Sequence, residues 1–312
     1  MPEVMTKPRF SIIIPTLNRA EFLEKAICSV LDQGYPEKEL IVIDGGSSDR
    51  TTDMLRKYEP HLAYWVSEPD RGQTHAINKG LGKAKGDIVH WLNSDDYYEH
   101  DAFAAIADAY EQGTTHAVAA KSRIIGMEQT WISQTPLGND FQIFSHARID
   151  QPATFFSKTC IQRLGQLDET LHLCMDLDMW IRFVLLHSTA NIRVVDQVVV
   201  NFIEHPDSKT VQHRNQMVLE RALLLSDLLH DLQQVAADGR YRSFLAQVDD
   251  RRRTDIIKGC HDFLLYWYGE FKRRGEDESV RYMAELLKKS KLSLREQWVK
   301  WKSDLRSLVP VI

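Results

Sequence analysis

Short β-branched runs alternate with amphipathic segments over the first hundred residues, and this alternation restricts the fold more than any other feature of the sequence. Four apolar runs have the length of buried strands, at residues 10–14, 40–43, 62–66 and 88–92. Helical spacing of apolar residues fills the intervals, at residues 21–33, 50–58 and 73–85. A β-α-β-α-β-α-β order predicts a Rossmann-like α/β fold with a mainly parallel sheet flanked by helices.

The same alternation predicts where a ligand binds, because parallel α/β sheets bind ligands outside the carboxyl ends of their strands. A polar motif follows each of the four runs: PTLNR (15–19), DGGSSD (44–49), SEPDRGQ (67–73) and NSDD (93–96). The four loops therefore predict one binding edge on the sheet.

Two adjacent carboxylates, Asp95 and Asp96, end the fourth motif. Like charges this close raise each other's pKa unless a cation shares their field. Mg²⁺ and Mn²⁺ prefer such oxygen ligands, whereas a solvated surface turn explains the pair equally well when it is taken alone. The three polar loops predicted at the same edge favour the metal site.

Asp44 ends the second strand and is followed by Gly45 and Gly46. A carboxylate here can accept hydrogen bonds from a nucleobase, and the glycines permit close approach of the backbone to a ligand. The alternative is an Asx turn in which residues 47–49 cap the next helix. The two interpretations are compatible.

Other polar side chains of these loops have the same two explanations, contact with a ligand or ordinary turn chemistry. They are Thr16, Asn18, Arg19, Arg71, Gln73 and Asn78. Arg71 either meets a phosphate or a base edge, or is an ordinary exposed loop arginine. Asn78 has low helix propensity within the third predicted helix, which favours its retention for a hydrogen bond.

Composition excludes several classes of protein. The net charge of −5 gives no indication of nucleic-acid binding. Four widely separated cysteines without C-x-x-C spacing predict reduced thiols rather than a zinc site or a disulfide framework. The first apolar run stops at Pro15 and no stretch approaches 18 apolar residues, so we expect a cytoplasmic protein.

The second part of the chain changes character near residue 210. Strand-like stretches at 118–120, 123–125, 129–132, 151–156 and 192–205 surround one helical stretch at 175–186. The pattern is helical from about residue 210 onward. We therefore predict an α/β domain at 1–210 and a helical C-terminal region at 211–312.

The last segment of the chain has one apolar helical stripe after a capping box at residues 293–296. The stripe consists of Leu294, Trp298, Trp301, Leu305 and Leu308. Packing onto the first domain or onto a second subunit of a homo-oligomer explains it. Because basic residues flank the tryptophans, peripheral contact with the inner face of an anionic membrane is the alternative.

Four sequence stretches together resemble the family-two glycosyltransferases of the GT-A fold, over roughly residues 8–210. They are FSIIIPTLNRAEFLEKAICSVLDQGYPEKELIVIDGGSSDRT, EPDRGQTHAINKG, GDIVHWLNSDDYY and MDLDMW, in the family's order and spacing. The resemblance implies a catalytic domain at 1–210 with a nucleotide-sugar-binding half and an acceptor-binding half. It further implies an inverting transfer from a nucleotide-sugar donor, with uracil as the expected base and guanine or thymine as alternatives, to a saccharide or lipid-linked glycan.

The resemblance also implies roles for the residues at the predicted edge. Mn²⁺ or Mg²⁺ would be the cofactor, ligated by Asp96 and by His205 of the HPDSKT motif (205–210), in which Lys209 would face the leaving group. The family commonly has Asp where Asn93 stands, so one carboxylate is replaced here by a neutral amide. The donor-binding residues would be Pro15, Thr16, Asn18, Arg19, Asp44, Arg71, Gln73, Asn78, Asn93, Ser94 and Asp95.

The general base implied by the resemblance lies in MDLDMW, where Met175 replaces the first acid of the family's pair. The matching base is Asp176, with Asp178 as the alternative. Side chains two residues apart do not share a helical face, so one acid would face the site while the other caps the helix or meets Arg182.

Two other functions are compatible with parts of the pattern. A sugar-nucleotide pyrophosphorylase would have a glycine-rich loop with Arg and Lys after the first strand, and PTLNRAEF contains no glycine. A catalytically silent glycan-binding or scaffold protein would retain the fold alone. The acids Asp44, Asp95, Asp96 and Asp176 argue against the silent protein.

Overall fold

A computed structural model describes residues 7–135, 137–233 and 239–290 of the 312-residue chain. Within these ranges, nine strands form one sheet. They are β1 (Phe10–Thr16), β2 (Lys38–Asp44), β3 (Tyr64–Ser67), β4 (Ile88–Trp91), β5 (Tyr97–Tyr98), β6 (Ala117–Ile125), β7 (Thr130–Gln134), β8 (Thr154–Ser157) and β9 (Ile192–Ile203).

The strand order is β3-β2-β1-β4-β8-β6-β9-β5, and β7 pairs with β6. The first four strands are mutually parallel, whereas β8 is antiparallel to both β4 and β6. Strand β9 returns parallel to β6 and pairs with the short β5. The predicted α/β fold is confirmed, and its all-parallel part consists of β1 to β4.

Eleven α-helices lie in the described ranges. They are α1 (Ala20–Leu31), α2 (Thr51–Tyr58), α3 (Gln73–Leu81), α4 (Ala102–Ala109), α5 (Asp140–His146), α6 (Lys158–Leu164), α7 (Met175–His187), α8 (Lys209–Gln212), α9 (Arg214–Gln233), α10 (Asp250–Arg274) and α11 (Asp277–Lys289). The first three follow β1, β2 and β3 in the predicted order.

Strand β1 lies at the centre of the parallel part and is buried along its whole length. Parallel strands are covered on both faces, which explains why its sequence is a continuous apolar run rather than an alternating one. Helix α3 packs directly on this strand, because a Cβ at Gly80 would overlap the Ile13 side chain. On the other face, Phe10 stacks on Phe103 with ring centroids 4.7 Å apart.

The structure differs from the predicted elements in the region of β6. Residues 118–120 and 123–125 were expected as two strands, but they belong to one strand. Lys121 and Ser122 interrupt the apolar pattern, and the pairing of β6 with β9 shifts register at these residues. A bulge admits the polar residues without ending the strand.

The chain divides into two compact units. Among the described residues, the first comprises 7–135, 149–183 and 190–212, and it contains the sheet. The second comprises 137–148, 184–189, 213–233 and 239–290. Two segments inside the predicted first domain thus belong to the second unit. The functional division into 1–210 and 211–312 stays a prediction.

The second unit is helical, and helix α10 contacts α5, α9 and α11 within it. One buried ion pair joins α10 to α5, with Arg252 Nε 2.7 Å from Asp140 Oδ2. The same guanidinium donates to the Val184 carbonyl at 2.6 Å. Arg252 therefore connects all three chain segments of this unit.

The predicted C-terminal stripe at residues 294–308 lies outside the described residues. In the part of the chain that the structure covers, no helix is both long enough and apolar enough to cross a membrane. The four cysteines are separate thiols, of which Cys160, Cys174 and Cys260 are buried.

Candidate functional site

The loops that follow β1 and β2 interlock at the carboxyl edge of the sheet. Asn18 has a positive φ of 51°. Its N–H donates to Ser47 Oγ at 2.7 Å, and its Oδ1 accepts the Ser48 N–H at 2.8 Å. Farther along, Arg19 donates to the Asp207 carbonyl at 3.2 Å, so the loop before α8 joins the same edge.

Asp49 fixes the start of two helices. Its Oδ1 accepts the N–H of Thr51, the first residue of α2, at 3.0 Å. Its Oδ2 accepts the N–H of Ala20, the first residue of α1, at 3.2 Å. One carboxylate thus satisfies an otherwise unpaired N–H in each helix, although the N-cap position of α2 is Arg50 and not one of the predicted residues 47–49.

Asp44 is fully buried at the end of β2 and pairs in register with Thr16 at the end of β1. Its carboxylate accepts the Ser47 N–H at 3.0 Å and the Ser47 and Ser67 hydroxyls at 2.5 Å each. The carboxylate thus accepts a backbone N–H three residues ahead, whereas the predicted Asx turn would use the N–H two residues ahead. Contact of Asp44 with a nucleobase stays a prediction.

Thr16 and Ser208 each carry a buried hydroxyl for which the described residues provide no hydrogen-bond partner. An unpaired buried hydroxyl costs free energy that a bound ligand recovers. Thr16 belongs to the predicted donor site. Ser208 lies in the HPDSKT motif, three residues after His205.

The structure provides a reason for glycine at position 45 that the sequence did not indicate. A Cβ at this position would lie 2.7 Å from Asp70 Oδ2, so the Asp70 side chain already occupies the space beside the backbone. Gly46 has a φ of +85°, which side chains rarely adopt. The close approach to Gly45 is thus made by Asp70.

Two of the predicted donor-binding residues hold the loop at 167–169. Arg71 Nη2 lies 2.5 Å from Glu169 Oε2, and this ion pair lowers the pKa of the Glu169 carboxyl. Asn78 donates to the Leu167 carbonyl and accepts the Leu167 N–H, both at 2.9 Å. The contacts of these two side chains with a donor stay predictions.

The two adjacent carboxylates of NSDD have different surroundings. Asp96 is 1% exposed, and its Oδ1 accepts the Ile203 N–H at 3.0 Å while its Oδ2 accepts the Asn93 amide at 3.1 Å. Burial, followed by the negative charge of Asp95, raises the pKa of Asp96. Asp95 Oδ2 lies 3.0 Å from His205 Nε2.

This geometry favours Asp95 over Asp96 as a ligand for a metal ion, and the expectation that Asp96 is the ligand stays a prediction. Both oxygens of Asp96 already accept hydrogen bonds, and the side chain anchors the end of β9 through Ile203. Asp95 is the carboxylate that meets His205, the other predicted ligand. Among the described residues, no group of three or more His, Cys, Asp or Glu is close enough together to hold a metal ion.

The Asp95 and His205 pair nevertheless fits a metal that shares its coordination with a substrate. A carboxylate oxygen and an imidazole nitrogen about 3 Å apart have the separation of neighbouring ligands on one six-coordinate ion. Mg²⁺ and similar ions are commonly held by one or two protein ligands plus substrate phosphates. Two protein ligands are therefore sufficient for this type of site.

His205 is oriented by a residue that the sequence analysis did not select. Its ring stacks on Phe22 of α1, with centroids 4.9 Å apart and planes 20° from parallel. In the sequence Phe22 is one of several apolar residues on an amphipathic helix, and nothing in that pattern distinguishes it. Contact across 183 positions of sequence is visible only in the fold.

Gln73, Asn93 and Lys209 are connected by hydrogen bonds. Lys209 Nζ donates to Gln73 Oε1 at 2.9 Å, and Gln73 Nε2 donates to Asn93 Oδ1 at 2.8 Å. The Lys209 ammonium also lies 3.4 Å from the His172 carbonyl. Ser94 is buried in the same turn as Asn93.

Helix α7 begins shortly after His172, and its first turn holds two acids. Asp178 is buried, with Oδ2 2.8 Å from Arg182 Nη2. That guanidinium also donates to the Leu164 carbonyl at 2.5 Å. Asp176 is only partly buried, and its Oδ1 accepts the Leu177 N–H at 2.8 Å. Of these two acids, Asp178 is the one held in a buried ion pair, which is typical of a structural residue.

Comparison with solved structures identifies the fold. TarS 1-349 of S. aureus in complex with UDP-GlcNAc gives a TM-score of 0.58 at 17% identity, covering 89% of this chain and 90% of that one. The mannosyltransferase PcManGT of Pyrobaculum calidifontis, in complex with GDP-Man and Mn²⁺, gives 0.56 at 19%, covering 100% and 83%. The predicted GT-A fold is confirmed.

Proteins that are similar to this chain in sequence are named as glycosyltransferases. RT0329, an uncharacterized glycosyltransferase of Rickettsia typhi, is 26% identical over 292 residues, covering 88% of this chain and 83% of the relative. TuaG of Bacillus subtilis, a putative teichuronic acid biosynthesis glycosyltransferase, is 39% identical over 100 residues, covering 30% and 39%. The family model of glycosyl transferase family 2 matches residues 11–172, more than half of the chain. The chain, with its strand-end loops and its NSDD motif, belongs to glycosyl transferase family 2.

Proposed function

We propose that the protein is an inverting, metal-dependent glycosyltransferase that moves a sugar from a nucleoside-diphosphate sugar to a hydroxyl of a saccharide or lipid-linked glycan. The observation that carries this proposal is the pairing of Asp95 with His205 at 3.0 Å, at the edge where the loops after β1 and β2 meet. This pair supports a site for a divalent cation beside a site for a nucleotide.

Asp95 and His205 would hold the cation, Mn²⁺ or Mg²⁺. Bound there, it would neutralise charge on the diphosphate as the bond to the sugar breaks. An imidazole ligand favours Mn²⁺ over Mg²⁺, because Mg²⁺ prefers oxygen ligands. The Mn²⁺ in the PcManGT complex agrees with this choice.

Thr16 and Asp44 would receive the nucleoside. The buried Thr16 hydroxyl, which has no partner among the described residues, would pair with the base or the ribose. Asp44 would accept a hydrogen bond from the base in addition to its bonds from two serines. We propose uracil as the base, and the GDP-Man in the PcManGT complex makes guanine the alternative.

Asp176 would take the proton of the acceptor hydroxyl. It is the partly buried acid of the first turn of α7, whereas Asp178 is held by Arg182. The acceptor oxygen would then attack the anomeric carbon from the face opposite the nucleotide, which inverts the configuration. Lys209 would donate to the departing diphosphate, where a cation strengthens the hydrogen bond.

We propose only the class of the acceptor, which is a saccharide or a lipid-linked glycan. The name of TuaG refers to teichuronic acid biosynthesis, which supports a role in polysaccharide assembly. If the acceptor is lipid-linked, the basic and apolar C-terminal segment would bring the protein to the inner face of the membrane. A homo-oligomer through the same segment is the alternative use of its apolar stripe.

The decisive test measures thermal unfolding and nucleoside diphosphate release with UDP, GDP and their sugars, with and without Mn²⁺. We expect a Mn²⁺-dependent rise in melting temperature with one nucleotide, because a ligand that binds only the folded state stabilises it. Asp95→Asn should remove the part of this rise in melting temperature that depends on Mn²⁺. Asp96→Asn should lower the melting temperature of the free protein but keep the Mn²⁺-dependent rise.

The matched control is Asp53→Asn, which changes an exposed acid on α2 and should behave as the wild type. Absence of any nucleotide effect in the wild type would refute the proposal. Loss of the Mn²⁺ effect in Asp96→Asn but not in Asp95→Asn would refute the assignment of the ligand. Mn²⁺-dependent release of nucleoside diphosphate separates an enzyme from a silent binding protein.

A further inference from the structure

We infer that Gln73 and Asn93 are positioning residues that form one hydrogen-bond relay from Lys209 to Asp96, and that this relay fixes Lys209 for contact with the diphosphate. The inference rests on the proposed function. It assigns these two amides to the protein's own loop rather than to the donor. The relay runs from Lys209 Nζ to Gln73 (2.9 Å), from Gln73 to Asn93 (2.8 Å), and from Asn93 to Asp96 (3.1 Å).

The ammonium end of the relay determines the orientation of both amides. An ammonium only donates hydrogen bonds. Gln73 must therefore turn its oxygen to Lys209 and its nitrogen to Asn93, and Asn93 then turns its nitrogen to Asp96. A flip of either amide would place two donors or two acceptors in contact. The relay thus has one orientation.

The relay completes a ring of contacts around the segment from Ile203 to Lys209. The Ile203 N–H and the His205 ring bind Asp96 and Asp95 respectively, each at 3.0 Å. The relay attaches the other end of the segment, at Lys209, to the same turn. Three attachments to one turn leave this segment few orientations. The contacts of Asp95 and Asp96 thus set the direction in which Lys209 points.

Exposure decreases along the relay from its cation to its anion. Lys209 is exposed, Gln73 and Asn93 are partly buried, and Asp96 is 1% exposed. The cation therefore lies where a ligand arrives, and the carboxylate that orients it lies inside. Holding a lysine in one conformation before binding reduces the side-chain entropy that binding would otherwise cost.

A neutral amide at position 93 is essential to this arrangement. An aspartate there would still accept from Gln73, but it would have no hydrogen for Asp96 and would add a like charge beside a buried carboxylate. A glutamate in place of Gln73 would keep its bond to Lys209 and lose its bond to Asn93. The two substitutions break different links of the relay.

The experiment compares the wild type with Gln73→Leu, Lys209→Met, the double variant and Gln73→Glu. The dissociation constants of UDP and GDP are measured with Mn²⁺ by calorimetry, and the free energy of unfolding is measured in urea without ligand. Each single variant should bind the accepted nucleotide about tenfold more weakly, as expected for loss of a hydrogen bond to a charged group. The double variant should bind no more weakly than the weaker of the two single variants.

Gln73→Glu is the conservative variant that distinguishes the complete relay from a single hydrogen bond between residue 73 and Lys209. It should bind as weakly as Gln73→Leu, because it has no hydrogen for Asn93. Gln129→Leu, at an exposed turn before β7, is the matched control and should bind as the wild type. Wild-type affinity in Gln73→Glu, or additive losses in the double variant, would overturn the relay.

The two measurements distinguish failure of the relay from failure of the proposed function. If the wild type binds neither nucleotide, the proposed function fails. The unfolding cycle then decides on the relay in the free protein, since coupled residues give non-additive changes in stability and independent ones give additive changes. Additive stability losses for Gln73→Leu and Lys209→Met would overturn the relay in that case.

Discussion

Two groups of acids, one in each compact unit of this protein, have different partners. In the helical unit, Asp140 is paired with the guanidinium of Arg252, which stays charged at any physiological pH. In the unit that contains the sheet, Asp95 meets an imidazole and Asp96 meets two N–H donors. The first arrangement neutralises the acid permanently. The second leaves Asp95 beside an imidazole, where we propose that a divalent cation binds, so the difference separates an acid that holds helices together from one that we propose serves a site.

The largest expected effect tests whether an acid of the sheet-containing unit serves chemistry rather than stability. Asp176→Asn removes the proposed base while keeping the size of the side chain. We expect transfer to fall about 10²- to 10⁴-fold, the usual contribution of a general base. Binding of the nucleotide should be unchanged. The measurement is nucleoside diphosphate release in the presence of acceptor, together with calorimetry of nucleotide binding.

Asp178→Asn is the counterpart of this variant two residues along the same helix. It should act mainly on stability, because it leaves the buried Arg182 without its charged partner. Normal turnover in Asp176→Asn would show that another group takes the proton. Loss of turnover in a fully stable Asp178→Asn would transfer the role of base to Asp178.

The second prediction concerns the ion pair of the helical unit. Arg252→Met removes one partner of a buried pair and should lower the free energy of unfolding by about 3 to 5 kcal/mol. Adding Asp140→Leu to Arg252→Met should recover much of this loss, because the carboxylate is then no longer buried without a partner. Urea unfolding of the three variants checks the prediction. Equal stability of Arg252→Met and the wild type would contradict it.

The smallest effect, counted for one pH unit, concerns His90, which lies buried in β4 of the sheet-containing unit. Its Nε2 faces the Gln151 carbonyl at 3.3 Å and so carries the hydrogen, and its Nδ1 accepts from the Tyr98 hydroxyl at 2.5 Å. Burial lowers the pKa of His90 to about 3. The unfolded chain therefore binds a proton from about pH 6.5 downward while the folded protein does not.

The sign of the effect follows from this depressed pKa. Stability is complete above about pH 6.5 and falls as the pH decreases toward the folded value, by about 1.4 kcal/mol for each pH unit. His90→Gln should show a weaker decrease in this window than the wild type, by urea unfolding at several pH values. Parallel curves for the two proteins would show that His90 does not titrate in this way.

The sequence was sufficient for the parts of the fold that depend on local patterns. The alternation up to residue 92 predicted β1 to β4 and the helices between them, because period and length suffice for buried strands. The strand-end rule then selected Asp44 and the NSDD turn. The interruption at Lys121 was misread as a strand end, since a bulge has no reliable signal in a single sequence.

The division of roles within the site was beyond the sequence for a physical reason. Asp95 and Asp96 are chemically identical, and their difference comes from partners more than 100 positions away, at Ile203 and His205. The relay likewise depends on Lys209, which lies 136 positions from Gln73. Local patterns do not contain such pairings, so the proposal that Asp95 rather than Asp96 is the metal ligand depends on the structure.

The ring of contacts at the end of β9 also has a consequence for biosynthesis. The sheet-containing unit begins to form when β1 pairs with β2 and β4, which needs only the first 91 residues. Asp95 and Asp96 are synthesised with that part, but their partners at Ile203 and His205 follow much later. Chains fold from the N-terminus as they are made, and distant pairings form slowly. The ring of contacts can therefore be completed only late in synthesis, because a chain that ends before residue 203 lacks the partners of Asp95 and Asp96.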